Sequence, residues 1–449
     1  MLEDESGRLR LIGKTLDTEL LVTGCIIAVM GTENANGDFE VIDIKVPDLP
    51  RQPTPTELEP KPIESSDGDT SMSENSASGS KGKVAIISGL NITGTHDSLL
   101  TLDLLLEFLL GETTSPTLQH LSASISRLII AGNSIADASP TNDASSNVTS
   151  TTTKKSSQAA KKYGYDSSAY NPAPTTHLDT LLATLLPSLP VTLMPGPSDP
   201  ANVSIPQQPL HPALFPQSRV YAAPPSTSLS AEAPTAARKP KKIQHTHPLH
   251  PATNPAFFTL GAHLFLGHAG QPVDDIAKYI DVSESTSPSP SSSAAQVQNA
   301  LDIMEATLRW RLIAPTAPDT LWCYPYQERE PFVLEEGWCP HVYFAGNQAG
   351  FGTRVVQGPG LESAATGGDA ANGRHGDGNG DGVEGSGIVG ETVRLISVPK
   401  FSETGEVVLV DLGDLSVQRL CFRVHGESLI TARGGDGGDG DSKDFFAGM

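Results

Sequence analysis

The chain has 449 residues, a formal net charge of −22 and a hydrophobic share of 37%. That length leaves room for two or three domains, and the low apolar share confines core-forming residues to part of the chain. So acidic a balance excludes a broad nucleic-acid surface of the chain's own, because phosphate binding needs clustered Lys and Arg; it suits a subunit that works by touching other proteins.

In chain order, residues 1–50 read as β structure. "RLRLIG", "LLVTGCIIAVMG" and "FEVIDIKV" give three candidate strands separated by Gly- and Asn-rich turns. Three strands make a poor independent unit, since an OB barrel needs five; this partial OB-type segment either packs on the main body or lacks its beginning. Residues 51–82 read as a disordered linker dominated by Pro, Ser, Glu and Gly. Further low-complexity insertions fall near 137–176, 223–255, 282–297 and 358–389, and residues 431–449 form an acidic Gly-rich tail. Between them the main domain, 83–430, alternates: strand "KVAIISG", helix "HDSLLTLDLLLEFLLG", strand "SRLIIAGN", helix "HLDTLLATLLPSL", strand "VTLMPG". The later strands are "HVYFAGN", "ETVRLISVP", "GEVVLVDLG" and "SVQRLCFRV". This alternation predicts an α/β domain, two-layer, around a mostly parallel mixed sheet.

Four strands of the main domain end alike. "VAIIS" runs into Gly89 and Asn91, "RLIIA" into Gly132 and Asn133, "VTLMP" into Gly196, Pro197 and Ser198, and "HVYFA" into Gly346 and Asn347. Loops at the carboxyl ends of sheet strands converge on one crevice, so these small residues are expected to share a site. The order of the turns resembles the calcineurin-like metallophosphoesterase fold, whose motifs D-x-H, G-D, G-N-H-[DE] and G-H-x-H hold two divalent metals. The resemblance places the family's ligands at Gly89, Asn91, Asn133, Pro197, Ser198, Ala269, Asn347 and Ala349. None of these is a carboxylate or an imidazole. Asp199 survives, at a position that is not normally a direct metal ligand in that family, and reads as a turn-capping residue. His268 stands one residue from the family's histidine, and one residue reverses a side chain's direction on a strand. Two dications ~3.5–4 Å apart need anionic ligands. The expectation is therefore a degenerate phosphoesterase without catalytic residues, metal or cofactor. The alternative is an active metal-dependent phosphodiesterase or nuclease.

Longer stretches are more specific. "MPGPSDPANVSIPQQPLHPALFP", "LRWRLIAPTAPDTLWCYP" and "PHVYFAGNQAGFGTRVVQGP", with "LEDESGRLRLIG" and "LVTGCIIAVMGTE" near the start, resemble the non-catalytic B-subunits of eukaryotic DNA polymerases alpha, delta and epsilon; "PQQPLHP" points to the delta branch. The resemblance implies a scaffold in replication and repair, in the nucleus. It implies two partners: the cysteine-rich C-terminal domain of the polymerase delta catalytic subunit, and the third subunit. The sliding clamp would be reached only indirectly and DNA mainly through the holoenzyme. It also implies an OB domain that begins before Leu2, so the chain reads as N-terminally truncated.

Other signals take plainer readings. Cys25, Cys323, Cys339 and Cys421 form no C-x-x-C pair, which argues against a zinc knuckle and for a reducing compartment. The start lacks a secretory h-region, and no apolar run is long enough to span a bilayer. Arg238–Lys242, "RKPKK", is a localisation patch or a solvated loop. His245, His247 and His250 read as loop residues rather than a metal site. "LLTLDLLLEFLLG" reads as a core helix covering the sheet. Trp322, Tyr324, Tyr326 and Phe332, with Arg329, form either a base-stacking platform or a protein interface; the charge balance favours protein.

Overall fold

The computed structural model describes residues 1–4, 7–17, 20–58, 82–94, 100–113, 115–136, 171–222, 247–279, 293–325, 330–358, 391–423 and 445–447. Arg238–Lys242, His245, Tyr326 and Arg329 lie outside the described residues.

The N-terminal segment holds strands β1 (Leu2–Asp4), β2 (Gly7–Leu9), β3 (Leu11–Ile12), β4 (Ala28–Glu33) and β5 (Phe39–Lys45), followed by a short helix α1 (Pro55–Leu58). The body follows as β6 (Lys83–Ile87), α2 (Leu100–Leu109), α3 (Pro116–Ala123), β7 (Ile125–Ala131), α4 (Ala173–Leu185), β8 (Val191–Met194) and β9 (Leu249–Pro251). Then come β10 (Ala256–Leu260), β11 (His263–His268), α5 (Gln271–Ala277), α6 (Ser293–Arg309), β12 (Val342–Gln348) and β13 (Gly352–Gln357). The last elements are β14 (Thr392–Pro399), α7 (Phe401–Thr404), β15 (Glu406–Asp411), β16 (Val417–Phe422) and β17 (Phe445–Ala447).

The body has two central sheets. One has seven strands in the order β17-β16-β15-β6-β7-β8-β9 and the other five in the order β10-β11-β12-β14-β13. Strands β6 to β9 pair in parallel, as do β11, β12 and β14. The sheets pack face to face, and alternation along each strand explains why. Val84, Ile86, Ile129 and Ala131 turn inward to meet Phe258, Phe265, Phe344, Ile396 and Val398. Their neighbours Ala85, Ile87, Leu128 and Ile130 turn the other way, onto Leu105 and Phe108 of α2 and Leu178 and Leu182 of α4. On the far side Tyr343, Ala345 and Leu395 meet Leu301, Met304 and Leu308 of α6. Strands buried on both faces read as continuous apolar runs, so sequence alone shows strands without showing a second sheet. The expected two-layer domain is thereby corrected to helices, sheet, sheet, helices: four layers.

Several boundaries also move. Helix α4 begins inside the supposed 137–176 insertion, β9 lies inside 223–255, and α6 begins inside 282–297. Helix α1 lies within the stretch read as linker, with Leu58 buried. Strand β17 within the tail pairs in parallel with β16. His250, expected in a loop, lies in β9 opposite Thr192. In each case Ser-, Pro- or Gly-rich composition masked a short element that a sheet or core stabilises from outside.

The N-terminal segment departs most from expectation. "LLVTGCIIAVMG" is not one strand: only Ala28–Glu33 pairs, while Leu20, Val22 and Cys25 pack against the core beneath α6. Gly24, at φ +84°, lies so close to the Pro315 carbonyl that a Cβ would overlap it. Thr23 Oγ1 donates to Asp319 Oδ2 at 2.8 Å. Residues 46–58 continue along the body: Arg309 Nη1 meets Asp48 Oδ1 at 2.7 Å, and Gln52 Nε2 donates to the carbonyls of Pro340 and Thr392 at 3.1 and 2.6 Å. The segment therefore packs on the body.

Candidate functional site

The four turns, at the carboxyl ends of β6, β7, β8 and β12, meet and hold one another. Three asparagines there hold left-handed backbone: Asn91 at φ 48°, Asn133 at 53° and Asn347 at 57°. Asn is among the few residues that tolerate this region, which accounts for the residue type in sharp strand-to-loop turns.

The loops hold one another. Gly89 N donates to Gly132 O at 2.9 Å, Asn91 N to Asn133 O at 3.0 Å and Ile92 N to Ser134 O at 3.0 Å. Asn133 Oδ1 accepts from Ser198 N at 3.1 Å, and Ser198 Oγ donates to Ile135 O at 2.6 Å. Asn347 Nδ2 donates to Ala269 O at 2.8 Å, and Asn347 N to Ser88 Oγ at 2.9 Å. The structure thus brings Gly89, Asn91, Asn133, Ser198, Ala269 and Asn347 together. Pro197 and Ala349 are exposed at the rim. Glycine is required by packing: a Cβ on Gly132 would strike Ala269, and one on Gly196 would strike Asn133.

Asp199 is buried, and its two oxygens are spent on backbone amides. Oδ1 accepts from Ile135 N at 2.9 Å and Oδ2 from Gly196 N at 2.8 Å. Burial pushes its carboxyl up to about 6, while hydrogen bonds from the backbone of Ile135, Gly196, Ser134 and Asn133 pull the other way. This goes beyond capping its own turn: the side chain ties the β7 and β8 loops together.

His268 points away from the crevice. Its Nδ1 accepts from Gly270 N at 3.0 Å, so Nε2 carries the proton and donates to Tyr343 Oη at 3.0 Å. Tyr343 Oη lies 3.4 Å from Thr307 Oγ1, which donates to Met304 O at 2.8 Å. Burial holds the imidazole down at about 3, so it is neutral, with both nitrogens engaged.

Sequence reasoning missed a second set of braces made of amides. Asn254 Nδ2 donates to Gln207 Oε1 at 2.7 Å and to Gln271 Oε1 at 2.9 Å, and Gln271 Nε2 donates to Gln207 Oε1 at 2.9 Å. Asn254 Oδ1 accepts from Ala269 N at 2.9 Å, and Gln207 Nε2 reaches Gly196 O at 3.2 Å. Gln207 lies within the "PQQPLHP" block; nothing in the spacing of Asn254 and Gln271 betrays the network. On the crevice's other flank Gln348 Nε2 donates to Gly346 O at 3.0 Å, with Asp274 Oδ1 at 3.4 Å. Burial raises the Asp274 carboxyl to about 6.

A pair of divalent metals does not fit these residues. The positions that would supply ligands are glycine, amide, hydroxyl, proline and alanine, and Asp199 faces backbone donors. Among the described residues no group of three His, Cys, Asp or Glu side chains could hold a metal ion.

Comparison with known proteins identifies the framework. Residues 84–353 match the family model of the DNA polymerase alpha/epsilon B-subunit. The chain belongs to this B-subunit family. Residues 1–44 also match a model described as the DNA polymerase delta subunit OB-fold domain, so the OB character of the N-terminal segment is established along with the mixed α/β body. Among curated proteins, the DNA polymerase delta small subunit of Saccharomyces cerevisiae is 33% identical, over 93% of this chain and 69% of that protein. The DNA polymerase delta small subunit of Arabidopsis thaliana is 32% identical, over 94% and 72%. DNA polymerase delta subunit 2 of Drosophila melanogaster is 30% identical, over 95% and 74%. The resemblance carried by the long motifs is borne out, including its preference for the delta branch of the family.

Proposed function

We propose that this chain is the non-catalytic small subunit of a DNA polymerase delta complex, a degenerate calcineurin-like phosphoesterase body carrying an OB segment. The observation that carries the reading is the state of the crevice. Loops that would present metal ligands instead use Asn133, Ser198, Asp199 and Asn347 to bind one another. A carboxylate satisfied by two amides, with no imidazole beside it, supplies neither the charge to hold two cations nor a base to activate water. The alternative, an active phosphodiesterase or nuclease, has no support in these side chains or in the names of the relatives.

On this reading the chain works in the nucleus by bridging. It holds the cysteine-rich C-terminal domain of the catalytic subunit and docks the third subunit. The net charge of −22 favours basic partner segments and steers their approach, and DNA is contacted mainly through the assembled enzyme. Among the described residues no helix is long and apolar enough to cross a membrane. Co-expression with each partner, followed by size-exclusion chromatography at moderate salt, tests the proposal. Co-elution with both is expected; separate elution from both would overturn it.

A further inference from the structure

Helices α2 and α4 cover the same face of the seven-stranded sheet, and together they line a cleft. Leu102, Asp103 and Leu106 come from α2, and His177, Thr180, Leu181 and Thr184 from α4. The cleft has a volume of about 460 Å³, within the range of sites that take a ligand or a partner's side chains. Leu102 and Leu181 are buried, Leu106 is half-buried, and Asp103, Thr180 and Thr184 are exposed. The lining thus has an apolar floor and a rim open to solvent.

The hydroxyls on the α4 side are already engaged. Thr180 Oγ1 donates to Thr176 O at 2.9 Å, and Thr184 Oγ1 to Thr180 O at 2.9 Å. Their protons are spent inside their own helix, so this wall has little to offer a polar ligand. Asp103 is the one carboxylate in the lining, and no Lys or Arg lines the cleft. Neither helix contains a Lys or Arg at all. Glu107, exposed like Asp103, follows it one turn along α2. Among the described residues neither carboxylate is in an ion pair.

An apolar cleft with an unpaired carboxylate on its rim complements a side chain built the same way. Lys and Arg lay their methylene stems on apolar surface and keep the charged head at the wet edge. A groove between two helices also suits an amphipathic helix, whose residues one turn apart share a face. We propose that the α2–α4 cleft is a docking site for an amphipathic helix of a partner protein. That helix sets an apolar side chain over Leu102, Leu106 and Leu181 and a lysine or arginine against Asp103. The proposal rests on the reading of the chain as a subunit, and it names a place and a chemistry that the subunit role does not supply.

The test uses the full chain and a synthetic helical peptide with leucine at helical spacing and lysine flanking each leucine, with calorimetry as the readout. The wild type should bind it. Affinity should fall about tenfold in Asp103→Lys, a loss of about 1.4 kcal/mol. Thr180→Trp, which fills the cleft from its rim, should abolish binding. Both positions are exposed, so both variants keep the fold. The same peptide with glutamate in place of lysine should bind Asp103→Lys better than it binds wild type, a rescue that a merely structural effect would not produce. No binding of the lysine peptide to wild type, equal affinity for wild type and Asp103→Lys, or absence of the rescue would each overturn the inference. So would self-association of the chain that Thr180→Trp abolishes, because the cleft would then belong to a second copy. Since the probe is not a polymerase subunit, those failures stand apart from a failure to co-elute with the partners, which bears on the subunit reading.

Discussion

Asp199 is a structural carboxylate: its oxygens take the amides of Ile135 and Gly196, so removing it strands two buried donors. Asp199→Ala is therefore expected to cost about 2–4 kcal/mol, at about 1–3 per unsatisfied group with partial relaxation, measured by urea unfolding at neutral pH. Its acidity adds a signature. The folded carboxyl sits at about 6, above its ordinary value of ~4. The folded state therefore holds the proton more firmly, and this group's contribution is greatest at low pH and declines as pH rises through that window. His268 runs the opposite way. Its folded value of about 3 lies below the ordinary ~6.5, so its contribution is complete above ~6.5 and is lost as pH falls, by about 1.4 kcal/mol per unit. His268→Gln should flatten the fall in stability between about pH 6.5 and 5 relative to wild type; an unchanged slope would count against a neutral buried His268.

Among the elements, the two-sheet core and the docking of the N-terminal segment matter most. Phe344 of β12 is fully buried between the sheets, and its ring lies against Gly267 of β11. Phe344→Ala should cost about 3–5 kcal/mol through lost burial and the cavity left behind. Gly267→Ala should also destabilise, because a Cβ there meets that ring. The N-terminal segment depends on Gly24 in the same way. Gly24→Val puts a branched side chain on a backbone at φ +84° against the Pro315 carbonyl. It should expose residues 20–27 to protease, detected as cleavage there in the variant and resistance in wild type. Strands with long apolar runs, such as β6, β7, β12, β14 and β15, were legible, while β9, β10, β11 and β13 were not read as strands. Helix α3 escaped because its clearest apolar marks are Leu118 and Leu121. Helix α6 escaped because it starts among Ser and Ala, ahead of the first large apolar residue, Val297. The break in "LLVTGCIIAVMG" was hidden too, since residues that dock on a neighbouring core have the same composition as residues of a strand.

At the scale of the whole molecule, the place of the crevice was legible and its content only partly so. Four strand ends with Gly and Asn pointed to one place, where Gly, Asn and Ser hold one another. The amide network was not legible. Gln207, Asn254 and Gln271 meet across sequence separations of 47, 17 and 64 residues, and no local pattern marks an amide that will find another amide. The molecule that results keeps a large body and a braced crevice, and carries an OB segment packed on that body. The central claim is that this crevice is a brace and not a metal site. Its most direct test is Mn²⁺-dependent hydrolysis of a phosphodiester by the purified chain, followed across a size-exclusion peak for wild type and Asn133→Ala. The account predicts no turnover above buffer in either. Mn²⁺-dependent turnover that co-elutes with the wild-type chain and is lost in Asn133→Ala would contradict it.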